Sequence, residues 1–512
     1  MTPVLIVGAG PTGLALALWL TRLGIEARII DKAAEPGTTS RALGVQARTL
    51  ELYRQVGIAD DVVAGGVEVA GVNLWAGGAR TARLPFRDLG VGLTPFPSFL
   101  IYPQDAHERL LIERLQALGL NVERETELVE LHQEPTGARV TLRCRDGSEQ
   151  ICEVAFVAGC DGADSKVRKA VGIDFPGGTY SRLFYVADVE ASGPATDHEL
   201  HVDLDEADFA AIFPLKGKGR VRLVGTIRDE AAASDPALTF GDVSGQVIEN
   251  LQLAVSKVNW FSTYHVHHRV ANHFRAGRAF LAGDAAHIHS PVGAQGMNTG
   301  IGDAVNLAWK LAAVLQGRAP DRLLDTYETE RIAFARRLVA STDRAFTIAV
   351  KQGPAAKRVR TVLFPRVAPL MVRVPPLRRW IFRTVSQLGV SYRKSPMSAG
   401  RAGSVGGGDR LPWVPLSGNE DNFTPLTSLR WQVHVYGEPP PGLAGACDAL
   451  GVPLHAFPRD PPRDRGDREM RKAGLRPGAL YLVRPDGYVA LADAEGSPQR
   501  LRDYFAERDL RP

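Results

Sequence analysis

The spacing of apolar and polar residues changes along the chain, and the first 32 residues already combine two patterns. The segment "PVLIVGAGPTGLALALWLTRLGIEARIIDK" holds a short apolar run, several glycines, a longer apolar stretch and a second short apolar run. A short apolar run bounded by turn residues is typical of a buried strand, and the longer stretch is typical of a helix. The segment therefore predicts a strand, a tight turn, an amphipathic helix and a second strand.

The glycines of this turn are spaced G-x-G-x-x-G at Gly8, Gly10 and Gly13. In a dinucleotide site the first glycine permits the turn, the second lets the backbone approach a diphosphate, and the third lets helix and strand pack closely. Asp31 ends the second predicted strand, where an acid can bind ribose hydroxyls. The segment predicts a dinucleotide site, and the fingerprint alone leaves NAD and FAD open.

A second segment, "LAGDAAHIHSPVGAQGMNTG" (residues 281–300), predicts a strand that ends on Gly283-Asp284, followed by a glycine-rich loop. The next stretch carries apolar residues at helical spacing, so a helix is predicted to begin near Asn298. Its first amides have no partner within the helix, and the positive end of the helix dipole lies there.

A third segment, "FVAGCDGADSKVRKAVG" (residues 156–172), predicts a strand ending in Cys160-Asp161-Gly162 and a helix that carries Ser165 and Arg168. Together, in this order, the three segments resemble the group A flavoprotein aromatic hydroxylases, the family of p-hydroxybenzoate hydroxylase. That family carries a G-x-G-x-x-G motif, a D-G motif ending in S-x-x-R, and a G-D motif. The resemblance covers roughly residues 1–345 and implies FAD as the bound dinucleotide.

The resemblance assigns cofactor contacts to residues of all three segments and to two positions between them. Asp284 is expected at hydroxyls of the flavin's sugar chain, Arg41 near the diphosphate or a mobile flavin, and Gln104 at the sugar chain. The expected FAD-binding residues are Gly8, Gly10, Pro11, Thr12, Gly13, Asp31, Lys32, Arg41, Gln104, Asp161, Asp284, Pro291, Gly293, Gly296, Met297 and Asn298. For Arg48 two interpretations remain open: a contact with the flavin, or a solvent-exposed position on a helix.

The loop Pro291–Asn298 is expected to lie against the isoalloxazine ring, with the amides of Gly296, Met297 and Asn298 directed at it. Reduced flavin is negatively charged, and such amides would stabilise that charge. The family pattern has two successive glycines in this loop, whereas this chain has Gly293-Ala294. We expect Ala294 to adopt a negative φ, because a positive φ would strain an alanine.

From about residue 176 to 275 the pattern changes to short alternating runs such as "LFYVADVEA" and "GRVRLVGTIRD". Strict alternation predicts a half-buried antiparallel sheet, which we interpret as a substrate domain laid over the flavin. Candidate substrate contacts are Phe209, Phe213, Pro214 and Val292. No catalytic side chain is certain; the weak candidates are Tyr264, His265 and His267, for which a structural role is the main alternative.

Bulk properties narrow the functional classes. A net charge of +4 is too small to suggest nucleic acid, and no apolar run reaches the roughly 18–20 residues of a membrane span. The N-terminus enters a strand at once, so no secretory leader is expected. The four cysteines form no C-x-x-C pair and suit a reducing cytosol. His287 and His289 lack further ligands nearby, so no metal site is expected.

Residues 344–408 hold thirteen Lys and Arg and no Asp or Glu, so the remainder of the chain carries a net charge of −9. Such a stretch can bind a membrane or nucleic acid; we favour helices that dock on the acidic remainder. The glycine-rich run "SAGRAGSVGGGDRLP" (398–412) predicts a boundary, and the strand-like runs beyond it include a hairpin turn at Asp486-Gly487. This part resembles the thioredoxin-like domain of larger phenol and polyketide hydroxylases. It holds one cysteine, Cys447, which excludes a dithiol role.

The expected fold is α/β, with a Rossmann-type FAD-binding domain and an inserted antiparallel substrate sheet, followed by a helical connector and a thioredoxin-like α/β C-terminal domain. The expected boundaries are 1–175 and 276–345 for the FAD-binding domain, 176–275 for the substrate domain, 346–400 for the connector and 401–512 for the last domain.

The resemblance implies an FAD-dependent monooxygenase that consumes NADPH or NADH and hydroxylates a phenolic or polycyclic, polyketide-like aromatic compound through a C4a-hydroperoxyflavin. No second Rossmann fingerprint is present, which agrees with a nicotinamide cofactor that docks transiently. The expected partners are dioxygen and a small aromatic molecule, in the cytoplasm, without nucleic acid; a homodimer is left open. Two alternatives are a non-hydroxylating FAD-binding protein and a flavin-dependent halogenase, whose W-x-W-x-I-P motif the sequence lacks.

Overall fold

The computed structural model describes residues 2–37, 42–205, 210–227, 238–290, 293–349, 351, 353–416, 420–457 and 465–512. Its strands are β1 (Thr2–Val7), β2 (Ala27–Ile30), β3 (Gly44–Val45), β4 (Val67–Val69), β5 (Gly71–Ala76), β6 (Ala79–Pro85), β7 (Phe99–Ile101), β8 (Val122–Glu123), β9 (Glu127–Glu134), β10 (Gly137–Arg143), β11 (Glu149–Gly159), β12 (Gly177–Ser192), β13 (Leu200–Asp203), β14 (Ala210–Pro214), β15 (Arg220–Ile227), β16 (Ala254–Val270), β17 (Arg275–Ala276), β18 (Ala279–Leu281), β19 (His287–Ile288), β20 (Ala399–Ala402), β21 (Val405–Gly406), β22 (Gln432–Tyr436), β23 (Leu454–Phe457), β24 (Leu480–Val483) and β25 (Val489–Asp493).

The helices are α1 (Pro11–Arg22), α2 (Ala47–Gln55), α3 (Ala59–Gly65), α4 (Gln104–Ala117), α5 (Lys166–Ala170), α6 (Phe240–Asn250), α7 (Gly296–Leu315), α8 (Asp325–Ala349), α9 (Pro354–Arg358), α10 (Phe364–Arg373), α11 (Pro375–Val385), α12 (Leu443–Leu450), α13 (Arg465–Lys472) and α14 (Pro498–Arg508). Short 3₁₀ turns occupy Pro194–Thr196, Gly283–Ala285, Asp321–Leu324 and Thr424–Ser428, and a π-helical turn occupies Val359–Leu363.

The first sheet is the predicted Rossmann-type sheet, with the strand order β17-β18-β11-β1-β2-β8. β1 lies at its centre and pairs in parallel with β2 and with β11, while β11 pairs in parallel with β18. Parallel neighbours require a crossover, which α1 provides between β1 and β2. This arrangement brings the ends of β1, β11 and β18, and hence all three motifs, to one edge of the sheet.

The second sheet is the predicted substrate sheet, with the order β19-β16-β12-β15-β14-β13-β5-β6. Its centre is antiparallel, as the alternating pattern predicted, with the long strands β12 and β16 paired over most of their length. The sheet is larger than the range 176–275 that we assigned to it. β5 pairs in parallel with β13, Leu200 opposite Val72, so residues 71–85 complete the sheet from within the first FAD-binding segment.

The connector helices α10 and α11 dock through apolar contacts. Ala368, Val372 and Phe382 are buried in one cluster with Val72 and Leu84 of the substrate sheet. Among the described residues of the basic stretch 344–408, Arg393 forms an ion pair with nearby Asp409. These apolar contacts account for part of the docking, and docking of the basic stretch on acidic side chains stays a prediction.

The C-terminal domain has the expected thioredoxin-like α/β arrangement. Its sheet has the order β21-β20-β25-β24-β22-β23, with β22 parallel to β23 across α12, and β24 and β25 antiparallel. The predicted turn at Asp486-Gly487 joins β24 to β25, and Gly487 has a φ of 74°. Asp486 accepts a hydrogen bond from the indole of Trp309 on α7 (3.1 Å), which fixes the last domain to the first.

Candidate active site

The turn after β1 is closed by contacts that leave no room for side chains at two of its three glycines. A Cβ on Gly8, whose φ is 103°, would lie 2.4 Å from the carbonyl oxygen of Cys160, and a Cβ on Gly13 would lie 2.0 Å from the oxygen of Gly8. A Cβ on Gly10 would meet no atom of the described residues within 4 Å. The outer glycines are therefore required for packing, whereas Gly10 faces the open side where a diphosphate can approach.

Thr12 brings the first motif into contact with the third. A Cβ added at Gly283 would lie 2.5 Å from the Thr12 hydroxyl, and one added at Gly300 would lie 2.2 Å from it. The start of α1, the G-D turn and the first turns of α7 therefore meet around one side chain. Two helix N-termini converge on one cleft, and both favour negative charge there.

Asp31 lies beside this turn, directly after β2. Its carboxylate accepts hydrogen bonds from the amides of Ala9 (2.7 Å) and Ala33 (2.8 Å). Arg124 lies 4.0 Å from the same carboxylate and has one buried guanidinium nitrogen without a partner among the described residues. Arg124 was missed in the sequence, because only the pairing of β2 with β8 brings it close.

The D-G motif supplies both a buried acceptor and a brace. One oxygen of Asp161 accepts from the amides of Lys166 (2.7 Å) and Val167 (3.1 Å) at the start of α5. The other oxygen is buried and has no donor among the described residues. A buried acceptor of this kind fits a hydroxyl group of a bound cofactor.

Arg168 of the same motif is buried and holds the G-D turn in place. It donates to the carbonyl oxygens of Ala285 (2.9 Å) and Ala163 (2.8 Å), so one guanidinium spans two motifs that are far apart in sequence. Ser165 caps α5 by accepting from the amide of Arg168 (2.9 Å). The S-x-x-R part of the motif therefore positions the turn that carries Asp284.

The G-D motif is a turn rather than the end of a strand. β18 ends at Leu281, and Gly283–Ala285 form a 3₁₀ turn in which Gly283 has a φ of 62°. The side chain of Asp284 is exposed, while both of its neighbours are buried. The turn therefore presents one carboxylate to the cleft and buries the rest of itself.

A buried network behind this turn, missed in the sequence, centres on Asp303 of α7. Its carboxylate accepts from the amide of Gly283 (3.0 Å), contacts the His287 ring (2.7 Å) and pairs with Arg331 of α8 (2.6 Å). Burial alone would raise the pKa of Asp303, but Arg331 and His287 outweigh it and the pKa lies below its ordinary value. His287 thus braces the G-D turn through this carboxylate.

The loop before α7 contains a departure from our expectation. Ala294 has a φ of 51°, a left-handed conformation that costs an L-residue roughly 1–2 kcal/mol. The loop tolerates it because the Asn298 side chain holds the segment: its amide donates to the oxygens of Ala294 (2.9 Å) and Gly44 (2.8 Å), and its oxygen accepts from Gln46 and Thr49. The expectation of a negative φ at Ala294 was wrong, because the turn geometry is retained without the second glycine.

Helix α7 begins at Gly296, two residues before the predicted start. The first backbone bond of the helix runs from the amide of Thr299 to the oxygen of Gln295, so the amides of Gly296, Met297 and Asn298 precede the bonded ladder. His289 lies beside this end, with its Nε2 buried and without a partner among the described residues. Burial lowers the pKa of His289 to about 4, so the ring is neutral there.

Gln104 is the first residue of α4 and lies beside the segment that precedes β3. Its side chain accepts from the amide of Ala42 (3.4 Å) and donates to Glu108 (2.8 Å). Met297 contacts the ring of buried His107 at 3.3 Å. Four of the residues predicted to bind cofactor or substrate, Arg41, Phe209, Pro291 and Val292, lie outside the described residues.

The substrate sheet separates the remaining candidates between its two faces. Alternation and pairing place Phe213 and Tyr264 on one face. Phe213 packs towards Leu43 and Ile101, beside the loop 293–295 that precedes α7 and that we call the flavin loop. Tyr264 packs on Phe184. His265, His267 and Pro214 fall on the opposite face, the one covered in part by α6. The structure therefore does not bring the two histidines to the face that Tyr264 shares with Phe213.

Two polar features of the flavin-side face were missed in the sequence. The hydroxyl of Thr226 is buried there and has no partner among the described residues. Arg222 and Asp188 form a paired contact on the same face, 2.5 and 2.7 Å long, with Arg222 almost fully buried. Nothing in their local sequence distinguishes them from the other polar residues of the sheet.

Arg48 is neither a flavin contact nor a solvated residue. It is buried, donates to the backbone oxygen of Asp486 (2.6 Å) and lies over the ring of Tyr488, 5.0 Å from its centroid. Its partner lies 438 positions away in the C-terminal domain, so Arg48 joins two domains and neither interpretation made from the sequence describes it.

Neither a metal site nor a membrane span is found in the described part of the chain. The described residues contain no group of three or more His, Cys, Asp or Glu that could hold a metal ion. Of the helices described, none has the length and apolar character needed to cross a bilayer.

The chain is similar to known proteins over its whole length. The model of the FAD binding domain family matches residues 1–342. The chain is 34% identical to 6-methylpretetramide 4-monooxygenase of Streptomyces rimosus, covering 95% of this chain and 90% of that protein. It is 33% identical to a 12-dehydrotetracycline 5-monooxygenase/anhydrotetracycline 6-monooxygenase of the same species, covering 98% of each. The solved structure of an anhydrotetracycline hydroxylase from Streptomyces rimosus superposes with a TM-score of 0.78 at 31% identity, covering 100% of this chain and 99% of that one.

Proposed function

The chain belongs to the group A flavoprotein aromatic hydroxylases, FAD-dependent monooxygenases that consume NADPH or NADH, and on that premise we propose that its substrate is a polycyclic, polyketide-like phenol. The observation that carries this choice is the extent of the similarity. The relatives named for 6-methylpretetramide and for anhydrotetracycline match this chain across the C-terminal domain as well as the FAD-binding domain.

We propose that FAD lies in the cleft where the three motifs meet. Its diphosphate approaches Gly10 at the start of α1, together with Pro11 and Thr12, because the described residues leave the space beside Gly10 open. Asp31 and Lys32 lie at the adenosine ribose, joined by Arg124. Fit is supported further by the buried, unsatisfied oxygen of Asp161, which suits a hydroxyl donor.

The flavin ring is proposed to lie at the N-terminus of α7, against Gly293 and the amides of Gly296, Met297 and Asn298. Those amides precede the bonded ladder of the helix and stabilise negative charge on the ring. Asp284 and Gln104 are assigned to the sugar chain and Arg41 to the diphosphate region. Bound FAD supplies the oxygen-activating chemistry, and these residues bind it, orient it and exclude water.

We propose that the substrate lies between the flavin and the face of the substrate sheet that carries Phe213 and Tyr264. The Tyr264 hydroxyl is the candidate for holding the phenol, and Thr226 offers a second, buried hydroxyl on the same face. Pro214, His265 and His267 are not proposed as contacts, because they fall on the opposite face.

The experiment is turnover of the FAD-loaded enzyme with NADPH and a panel of phenols from one ring to four. We expect consumption of NADPH to rise most with the polycyclic compounds, and the product to gain one oxygen atom from labelled dioxygen. Preference for one-ring phenols would contradict the proposed substrate. A product whose new oxygen atom carries no label from dioxygen, or conversion without NADPH, would indicate a reaction other than flavin-dependent monooxygenation.

The proposed face is tested by a pair of variants on neighbouring positions. Tyr264→Phe is expected to raise the KM for the aromatic substrate and to uncouple NADPH oxidation from hydroxylation. His265→Gln, one residue further along β16 and on the opposite face, is the matched control and should behave as the parent. Equal effects of the two substitutions would show that the face assignment is wrong.

We also infer that the enzyme works in the reducing cytosol. Cys160 and Cys447 are buried thiols, and burial raises the pKa of Cys447 to about 11, which keeps it unreactive.

A further inference from the structure

A recess of about 450 Å³ lies between the connector and the C-terminal domain, away from the motifs that form the flavin cleft. We call it the basic recess, and define it by its charged and aromatic lining: Arg379, Arg383, Arg393, Asp409, Arg410, Trp413, Glu469 and Lys472. Its volume falls within the range of about 300–1,000 Å³ that is usual for small-molecule sites. Five basic residues against two acidic ones give the lining an excess of positive charge.

Three of the five cations have carboxylate partners. Arg393 pairs with Asp409 at 2.7 Å, Lys472 with Glu469 at 2.6 Å. Arg410 is held by a carboxylate outside the recess, the buried side chain of Glu51 at 2.6 Å. Both acids of the lining are therefore already used.

Arg379 and Arg383 differ from these three cations. Neither side chain has an ion pair or a hydrogen-bond acceptor among the described residues. They are four positions apart on α11, so they project from the same side of the helix, and like charges at this spacing repel one another. The pKa of Arg383 lies below its ordinary value. Burial is the largest cause, and repulsion by Arg410 and Arg393 adds to it, while attraction by Asp409 opposes it. An anion in the recess would relieve this repulsion.

The wall of the basic recess is joined to the flavin loop by hydrogen bonds. Leu388 and Val390 line the recess, and the adjoining Gln387 donates to the side-chain oxygen of Gln295 (2.8 Å) and to the Thr299 hydroxyl (2.9 Å) at the start of α7. In return, the Gln295 amide donates to the oxygen of Val385 at the end of α11 (2.9 Å). Residues 385–390 therefore contact the basic recess and also hydrogen-bond to the flavin loop and the start of α7.

We propose that the basic recess binds a phosphate-bearing anion through Arg379 and Arg383. Paired guanidinium groups suit phosphate because their N–H donors match its oxygens in a bidentate fork, and the aromatic face of Trp413 suits an attached base. Two sources share this chemistry: the phosphates of the reduced nicotinamide dinucleotide, in which case the inference rests on the proposed function, and a free phosphate compound that acts on the flavin loop.

The test is titration calorimetry on the FAD-loaded full chain at low ionic strength, with inorganic pyrophosphate and with NADP⁺ as the probes. Pyrophosphate is expected to bind the parent enzyme, and the double variant Arg379→Gln/Arg383→Gln should lose tenfold or more in affinity. The matched control is Arg366→Gln/Arg373→Gln, which removes the same charge from the same connector but outside the recess. Absence of pyrophosphate binding by the parent, or equal losses in both double variants, would overturn the proposal.

Kinetics then distinguish the two sources. If the reductant's phosphates occupy the recess, pyrophosphate competes with NADP⁺, and the recess variant raises the KM for NADPH at least tenfold while kcat stays the same. If a free phosphate compound is the ligand, pyrophosphate binding is lost in the variant but the KM for NADPH is unchanged. Dithionite-reduced enzyme exposed to dioxygen bypasses NADPH, so equal product yield from parent and variant separates failure of this site from failure of the hydroxylase assignment.

Discussion

Asp303 of α7 and Arg331 of α8 form a fully buried ion pair, 2.6 Å from Oδ1 to Nε, directly behind the turn that carries Asp284. The other oxygen of Asp303 accepts from the amide of Gly283 and contacts His287. Arg331 in turn donates to the backbone oxygen of Thr299 (3.0 Å) and to the hydroxyl of Tyr392 (2.7 Å). One pair of charges thus fixes the G-D turn, the first turns of α7 and the segment that leads to the C-terminal domain.

Asp303→Asn should destabilise the protein severely. It leaves the Arg331 guanidinium buried without a counter-charge, which typically costs about 3–5 kcal/mol, and it frees the G-D turn, so FAD affinity should fall as well. Calorimetric melting of the apo-protein and FAD titration measure the two effects. Asp509→Asn, in an exposed pair with Arg322, is the control and should change little. If the two variants have the same melting temperature, the buried ion pair does not stabilise the protein more than the exposed pair does.

The three glycines of the first motif should respond differently to alanine. Gly13→Ala places a Cβ 2.0 Å from a backbone oxygen, so both the folded state and FAD binding should be lost. The Cβ of Gly10→Ala meets no atom of the described residues within 4 Å, and residue 10 has an ordinary φ of −77°. The apo-protein should therefore melt as before, while FAD affinity drops about tenfold or more, since about 1.4 kcal/mol of lost contact is enough for that. Normal FAD affinity of Gly10→Ala would show that no phosphate packs against this position.

Local patterns predicted those parts of the site whose residues are close in sequence. The strand, turn, helix and acid around Gly8–Asp31 depend on neighbouring residues, and each was found where the pattern placed it. The pair Asp303–Arg331 and the contact of Arg48 with Asp486 depend on helices and domains meeting in space, so charge at those positions could not be interpreted beforehand.

Backbone conformation set the second limit on prediction. Ala294 adopts a positive φ because Asn298 holds the loop on both sides, and neither residue reveals this alone. The alternation of side chains along β16 places Tyr264 on one face of the substrate sheet and His265 and His267 on the other. Only the register of β12, β14 and β15 shows which face is turned to the flavin loop.

Buried neutral histidines should make the protein sensitive to mild acid. Burial lowers the pKa of His107 to about 3 and that of His289 to about 4, whereas each would titrate near 6.5 in the unfolded chain. Below pH 6.5 the unfolded state therefore binds more protons, and the free energy of unfolding falls as the pH is lowered, by up to about 1.4 kcal/mol per pH unit for each histidine. The stability from these groups is present above pH 6.5 and is lost as the pH falls towards 4 for His289 and towards 3 for His107.

Calorimetric melting between pH 7 and pH 5 measures this effect in a window above the ordinary range of carboxylates. His107→Asn, which cannot take up a proton there, should show a shallower decline of the melting temperature than the parent. His132→Asn, at an exposed position, is the control and should keep the parental slope. The same slope in all three proteins would mean that His107 is not buried in its neutral form.

Asp284 provides the sharpest test of the proposed flavin site. Its side chain is exposed in the cleft while its neighbours are buried, so its removal should cost the apo-protein little. If it accepts hydrogen bonds from the flavin's sugar chain, Asp284→Ala loses a bond to a charged group worth roughly 1.5–3 kcal/mol, and FAD affinity falls about ten- to hundredfold. FAD fluorescence titration and apo-protein melting on the same variant give both quantities. Asp164→Ala removes another exposed carboxylate, in the D-G turn, and should leave FAD affinity unchanged. A variant at Asp284 that melts lower but binds FAD as the parent does would instead make this carboxylate a brace of its own turn.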